Sequence, residues 1–97
     1  MQRRLRHRTR SKFEIISSIL NSTRGYTGAT ITQIQYETYV SYKQLKDYLT
    51  FLIQQRLIEF VREEKMFRIT ESGINALTIF DEMDKLLALQ LTVHRRK

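Results

Sequence analysis

At Leu57 the spacing of the apolar residues changes, and at Thr70 it changes back. Upstream, Leu45, Tyr48, Leu49, Leu52 and Ile53 follow the i, i+3, i+4, i+7, i+8 pattern of one helix face, with Lys43, Lys46, Asp47, Thr50 and Gln54 off that stripe. Downstream, Ile58 and Phe60, then Phe67 and Ile69, alternate with Glu59, Val61 and Arg68 at the period of a strand, and Glu63-Glu64-Lys65 between them reads as a polar turn. Thr70 and Glu71 then open a helical pattern with no proline and, after Gly73, no glycine. It predicts one helix to about Val93, roughly 35 Å at 1.5 Å per residue. Few folds admit a helix, a short hairpin and a long helix in that order.

The N-terminal half adds two further helices. Ser11 and Glu14 have capping-box spacing, and Phe13, Ile16, Ile19 and Leu20 recur at helical spacing, which predicts a helix from about 11 to 22. Gly25 and Gly28 mark a loop. Thr30 with Gln33 starts a short helix carrying Ile31 and Ile34, and Ser41 with Gln44 starts the next after a turn at Tyr39-Val40. The order is helix, helix, helix, strand, strand, helix. It predicts a mostly helical α+β fold, a winged helix-turn-helix with a long, coiled-coil-like C-terminal helix. Neither the hairpin nor the helices could bury an apolar face alone, and 97 residues suffice for one domain only. The expected division is a basic arm over 1–10, a winged-helix domain over 11–73, a dimerisation helix over 74–93 and a basic tail over 94–97.

Composition narrows the function. There is no cysteine, and His7 and His94 stand at opposite ends, so a structural metal site lacks ligands. No cysteine nucleophile and no phosphate-cradling glycine loop is present, so neither an enzyme nor a cofactor or small-molecule site is expected. Leu5 is the sole aliphatic residue between Met1 and Phe13, which does not fit a secretory signal or a membrane partner. The expected location is the cytoplasm, in association with the nucleoid.

The net charge of +7 sits on the two ends. Arg3, Arg4, Arg6, Arg8, Arg10 and Lys12 precede any acid, and the chain closes on Arg95, Arg96 and Lys97. Such a run is commonly a solvated segment, and it also fits an arm that reaches phosphates or a minor groove beside a docked domain. In a helix-turn-helix the second helix enters the major groove N-terminal end first, which here presents Ser41, Tyr42 and Lys43, then Lys46 and Thr50. On the hairpin, Lys65 near the tip with Arg62 and Arg68 beside it could straddle a backbone, opposed by Glu63 and Glu64. Double-stranded DNA is the expected partner.

The last helix carries apolar residues on more than one side. Ala76, Ile79, Phe80, Met83, Leu87 and Leu91 form one stripe, and Leu86, Leu89 and Val93 lie across from it. A body of about 70 residues covers only the first turns of so long a helix. A homodimer interface over Ile79, Phe80, Met83, Leu86, Leu87 and Leu91 is therefore expected, the alternative being a helix that folds back onto its own core. Asp81, Glu82 and Asp84 on its polar face do not suit a membrane-surface helix.

Three stretches carry a family likeness: Arg10-Ser11-Lys12 leading to Glu14-Ile15-Ile16; Val40-Ser41-Tyr42-Lys43-Gln44-Leu45 continuing to Tyr48-Leu49 and Leu57-Ile58-Glu59; and Phe67-Arg68-Ile69-Thr70-Glu71-Ser72-Gly73. Over about residues 8 to 90 the chain resembles the archaeal 10a-type chromatin-associated DNA-binding proteins. The resemblance implies a homodimer joined by an antiparallel coiled coil of the last helices, binding duplex DNA with modest sequence preference, as a transcription regulator or an architectural chromatin protein. Arg56 departs from the pattern, since a glycine commonly precedes the Leu-Ile pair. Two other readings remain at this point, a winged helix that docks a protein partner and an RNA binder. The acid-free arm favours a polyanion over a protein groove.

Overall fold

The computed structural model describes the backbone of residues 11–96 and the side chains of residues 11–88. The elements run α1 (Lys12–Ser22), α2 (Ile31–Thr38), α3 (Tyr42–Gln54), β1 (Ile58–Val61), β2 (Met66–Ile69) and α4 (Glu71–Arg96). This is the winged-helix order expected from the spacing. The last helix continues three residues beyond Val93, since nothing in Thr92 to Arg96 breaks it.

Each of the first three helices starts where a side chain takes up an orphan amide. Ser11 Oγ accepts from the Glu14 amide at 3.1 Å while Glu14 accepts from the Ser11 amide at 3.0 Å. Thr30 and Gln33 repeat the reciprocal pair at 3.2 and 2.9 Å, and Ser41 Oγ accepts from the Gln44 amide at 3.2 Å. The α3 C-terminus closes through Arg56 at φ 63°, whose amide donates to the Ile53 carbonyl, while the Leu57 amide donates to the Leu52 carbonyl. That pair of bonds is a Schellman cap, built here on a residue that carries a Cβ. The cap turns the chain directly into β1.

The hairpin pairs Ile58 with Ile69, Glu59 with Arg68, Phe60 with Phe67 and Val61 with Met66. Ile58, Phe60, Phe67 and Ile69 therefore share one sheet face, while Glu59 and Arg68 share the other. Ile58 is buried near the base, while Phe60, nearer the tip, is 43% exposed and packs its ring against Phe67, centroid to centroid 4.9 Å.

The loop between α1 and α2 does more than connect. Ala29 exchanges both backbone hydrogen bonds with Phe67, at 2.9 and 2.7 Å, on the free edge of β2. Gly28, at φ 87°, lies so close to the Phe67 carbonyl that a Cβ would collide with its oxygen. This one-residue bridge has no periodicity, and the sequence reading treats the segment as loop.

The core is Ile19 and Leu20 of α1, Ile34 of α2, Leu45, Leu49 and Leu52 of α3, Ile58 of β1 and Leu77 of α4, with Ala29 and Val40 beside them. The buried hydroxyls of Thr23 and Thr38 donate to the Leu20 and Ile34 carbonyls at 2.9 and 2.8 Å, so their burial leaves no donor unsatisfied. Two expected core residues sit at its margin. Phe13 is 67% exposed and meets Phe80 edge-on, centroids 5.8 Å apart, and Ile53 lines an open cleft.

Among the described residues of α4, those of the first turns face the body. Gly73, Leu77 and Phe80 at i, i+4, i+7 form the inward line. A Cβ on Gly73 would strike the Leu57 carbonyl oxygen and come within 2.6 Å of Ile69 Cγ1. Ile79, Met83 and Leu86 repeat the same spacing about a third of a turn round the helix and stay exposed. Leu77, absent from the expected stripe, is the most deeply buried of the described α4 side chains.

Candidate nucleic-acid interface

The exposed side of α3 is set by its buried side. Leu45, Leu49 and Leu52 point into the core at i, i+4, i+7. A shift of two residues is about 200° on a helix, so Lys43, Asp47, Thr50 and Gln54 project almost opposite them, and all four are exposed. Lys46 lies some 60° to one side of this outward line, toward the hairpin. Its Nζ is 5.6 Å from the centre of the Tyr42 ring. The sequence reading puts Lys43 and Lys46 on one face. In the structure Lys43 is on the crest of the helix and Lys46 on its flank.

Between that flank and the hairpin is an apolar cleft of about 280 Å³, floored by Ile31, Leu49, Ile53, Phe60 and Phe67, with Lys46 and Thr50 at its rim. Low-dielectric walls of this kind strengthen the field of a cation placed beside them. The Thr50 hydroxyl donates to the Lys46 carbonyl at 2.9 Å and keeps its lone pairs outward. Ser41 is taken up as the N-cap, and its oxygen also meets Gln44 Oε1 at 3.4 Å.

The wing distributes its cations over two sides. Arg62 and Lys65 are exposed in the turn that joins β1 to β2, Lys65 in the left-handed conformation at φ 55°. Arg68 instead donates through Nε and Nη2 to Glu59 Oε2 at 3.2 and 3.1 Å, on the sheet face turned away from α3. The pair is partly exposed, so its interest here lies in where it holds the guanidinium. The structure thus brings Tyr42, Lys43, Lys46 and Thr50 together on α3, places Arg62 and Lys65 at the wing turn, and directs Arg68 elsewhere.

Lys12 is exposed at the first position of α1. Arg3, Arg4, Arg6, Arg8 and Arg10 lie outside the described residues. On α4, Ile79, Met83, Leu86 and Leu87 are exposed, Phe80 packs against its own core and Phe13, and the side chain of Leu91 lies outside the described residues. Among the described residues no group of three His, Cys, Asp or Glu side chains is placed to hold a metal ion, and no helix is long and apolar enough to cross a membrane.

Apolar spacing alone sets Asp47 and Gln54 off the packed stripe beside Lys43, although neither is among the residues expected to contact DNA. The left-handed Tyr39, at φ 60°, has no signal in local composition.

The sequence matches the winged helix-turn-helix family over residues 9–88. Among solved structures, the crystal structure of Sso10a-2, a DNA-binding protein from Sulfolobus solfataricus, is similar with a TM-score of 0.78 and 22% identity, covering 90% of this chain and 92% of that one. No curated protein matches the chain.

Proposed function

The chain belongs to the winged helix-turn-helix family, and from that membership we propose that it binds double-stranded DNA as a homodimer, with α3 in the major groove and the wing on the adjoining backbone. The observation that carries this reading is the outward line of α3. It starts at the N-terminal end of the helix with Lys43, is flanked by Lys46 at the rim of the cleft, and is unobstructed by any other described element. In this arrangement Tyr42, Lys43, Lys46 and Thr50 meet the groove and Arg62 and Lys65 meet phosphates. The arm over residues 1–10, with the tail over 94–97, adds charge that base sequence does not affect. The similar fold of Sso10a-2, described as a DNA-binding protein, supports the same assignment.

The homodimer rests on α4. Beyond Phe80, Met83, Leu86 and Leu87 are left 54%, 60% and 58% exposed by the described residues of the chain's own body. Burying one such side chain contributes about 1.5 to 3 kcal/mol, so two copies pairing along this line gain where one copy cannot. Residues 11–73 are then the DNA-binding unit and 74–93 the pairing helix. The role is that of a transcription regulator or an architectural chromatin protein, with weak discrimination among sequences.

The test is affinity for a mixed-sequence duplex of about 30 base pairs across a salt series, for the full chain and for one beginning at Lys12. The expected result is a log–log slope of about −0.9 per phosphate contact, shallower for the shortened chain. If neither chain binds at low salt, duplex binding is wrong.

A further inference from the structure

We propose that Asp47 reads a base, accepting a hydrogen bond from the exocyclic amine of a cytosine in the major groove, so that binding favours a C·G pair at one position. This rests on the duplex-binding reading above and goes beyond it, because a surface built only for phosphates has no use for a carboxylate at its centre.

Three observations carry the proposal. Asp47 lies on the line Lys43, Asp47, Thr50, Gln54, opposite the buried leucines, one turn into α3, where a helix docked N-terminal end first comes closest to base edges. Its carboxylate makes no hydrogen bond or ion pair with any described residue, although Lys43 is four positions before it at the spacing that commonly pairs. The free carboxylate is also isolated in kind, since the other described residues exposed around this side of α3, Lys43, Lys46, Thr50, Phe51 and Gln54, include no acid.

The chemistry then selects the base. An ionised carboxylate only accepts hydrogen bonds and is repelled by phosphates on either side of the groove. In the major groove guanine offers acceptors, and thymine an acceptor and a methyl group. Adenine sets its amine beside the N7 acceptor, which opposes the second carboxylate oxygen. Cytosine alone presents an amine donor with no acceptor of its own beside it. Lys43, one turn earlier on the same line, is placed to reach guanine O6 or N7 of a nearby pair.

The experiment is selection of bound duplexes from a randomised library by the full chain, sequenced and compared with Asp47→Asn and Asp47→Ala. The parent should enrich cytosine at one position about five- to tenfold over other bases. Asp47→Ala should bind a mixed-sequence duplex at least as tightly as the parent and lose the preference. Asp47→Asn should move it toward adenine, whose N6 and N7 suit an amide. Binding by the parent with no cytosine enrichment, or a preference that survives in Asp47→Ala, would overturn the assignment and leave duplex binding intact. Failure of all three chains to bind any duplex would overturn both.

Discussion

The Thr70 hydroxyl donates to the Arg56 carbonyl at 2.7 Å and accepts from the Gly73 amide at 3.0 Å. One side chain thus caps the N-terminus of α4 and holds it to the left-handed turn that ends α3. The Thr70 amide adds a bond to the Leu57 carbonyl at 3.0 Å, so the helix proposed to dimerise and the helix proposed to read DNA are joined at one short junction. Gly73 lies against the same carbonyl, which is why a helix start fits there at all.

Thr70→Val keeps the shape of the residue and removes both hydroxyl bonds. Loss of an N-cap costs about 0.5 to 2 kcal/mol, and a chain of this size loses roughly 4 to 8 °C of melting temperature per kcal/mol. Thermal melts at fixed protein concentration should show a drop of about 5 °C or more, and Thr70→Ser should restore most of it.

Arg56→Gly should stabilise the protein. A left-handed backbone costs a residue with a Cβ about 1 to 2 kcal/mol, part of which glycine returns through the larger entropy of its unfolded chain. The expected net gain is about 0.5 to 1 kcal/mol, read as a higher urea midpoint at unchanged slope. No gain would mean that the arginine stem contributes contacts that offset the strain.

These two positions mark where sequence was legible. The helices, the hairpin and their order followed from apolar spacing and from Ser11, Thr30 and Ser41, because period and capping are local signals. The left-handed turns at Tyr39 and Lys65 were not legible, since neither carries the glycine or asparagine that marks such a turn, whereas at Arg56 the family likeness already pointed to a position commonly held by glycine. The Ala29 bridge and the burial of Leu77 were hidden because each depends on a partner distant in sequence. At the site, residue types identified Lys43 and Lys46. The packed direction of Leu45, Leu49 and Leu52 is what separates crest from flank, with Asp47 on the crest.

Lys43→Ala with Lys46→Ala removes the two cations of α3. A lysine at the groove edge that neutralises a phosphate contributes about 0.9 to the salt slope, so the double variant should lower its magnitude by up to about 1.8 and weaken binding at low salt about tenfold or more. Titrations at several salt concentrations decide this; unchanged binding would take α3 out of the interface.

Arg68→Ala should change duplex affinity less than Arg62→Ala or Lys65→Ala. The Arg68 guanidinium is tied to Glu59 on the sheet face away from α3, whereas the other two cations stand at the wing turn. A ranking with Arg68 first would place DNA on the outer face of the hairpin.

Met83→Glu with Leu87→Glu tests the pairing surface. Both side chains are exposed in the single chain and contribute nothing to its described core, so the substitutions should leave the fold of residues 11–73 in place. In a dimer they would bury like charges against apolar neighbours, which costs several kcal/mol per unpaired group and exceeds what the remaining Ile79 and Leu86 contacts supply. Sedimentation equilibrium should find the parent at twice the chain mass and the variant at the chain mass, with unchanged helicity apart from the last turns. DNA affinity should fall with dimer loss, because one monomer brings half of the phosphate contacts and half of the salt slope. A variant that remains dimeric would put the interface on another face of α4, the Phe13–Phe80 margin being the next apolar surface along the helix.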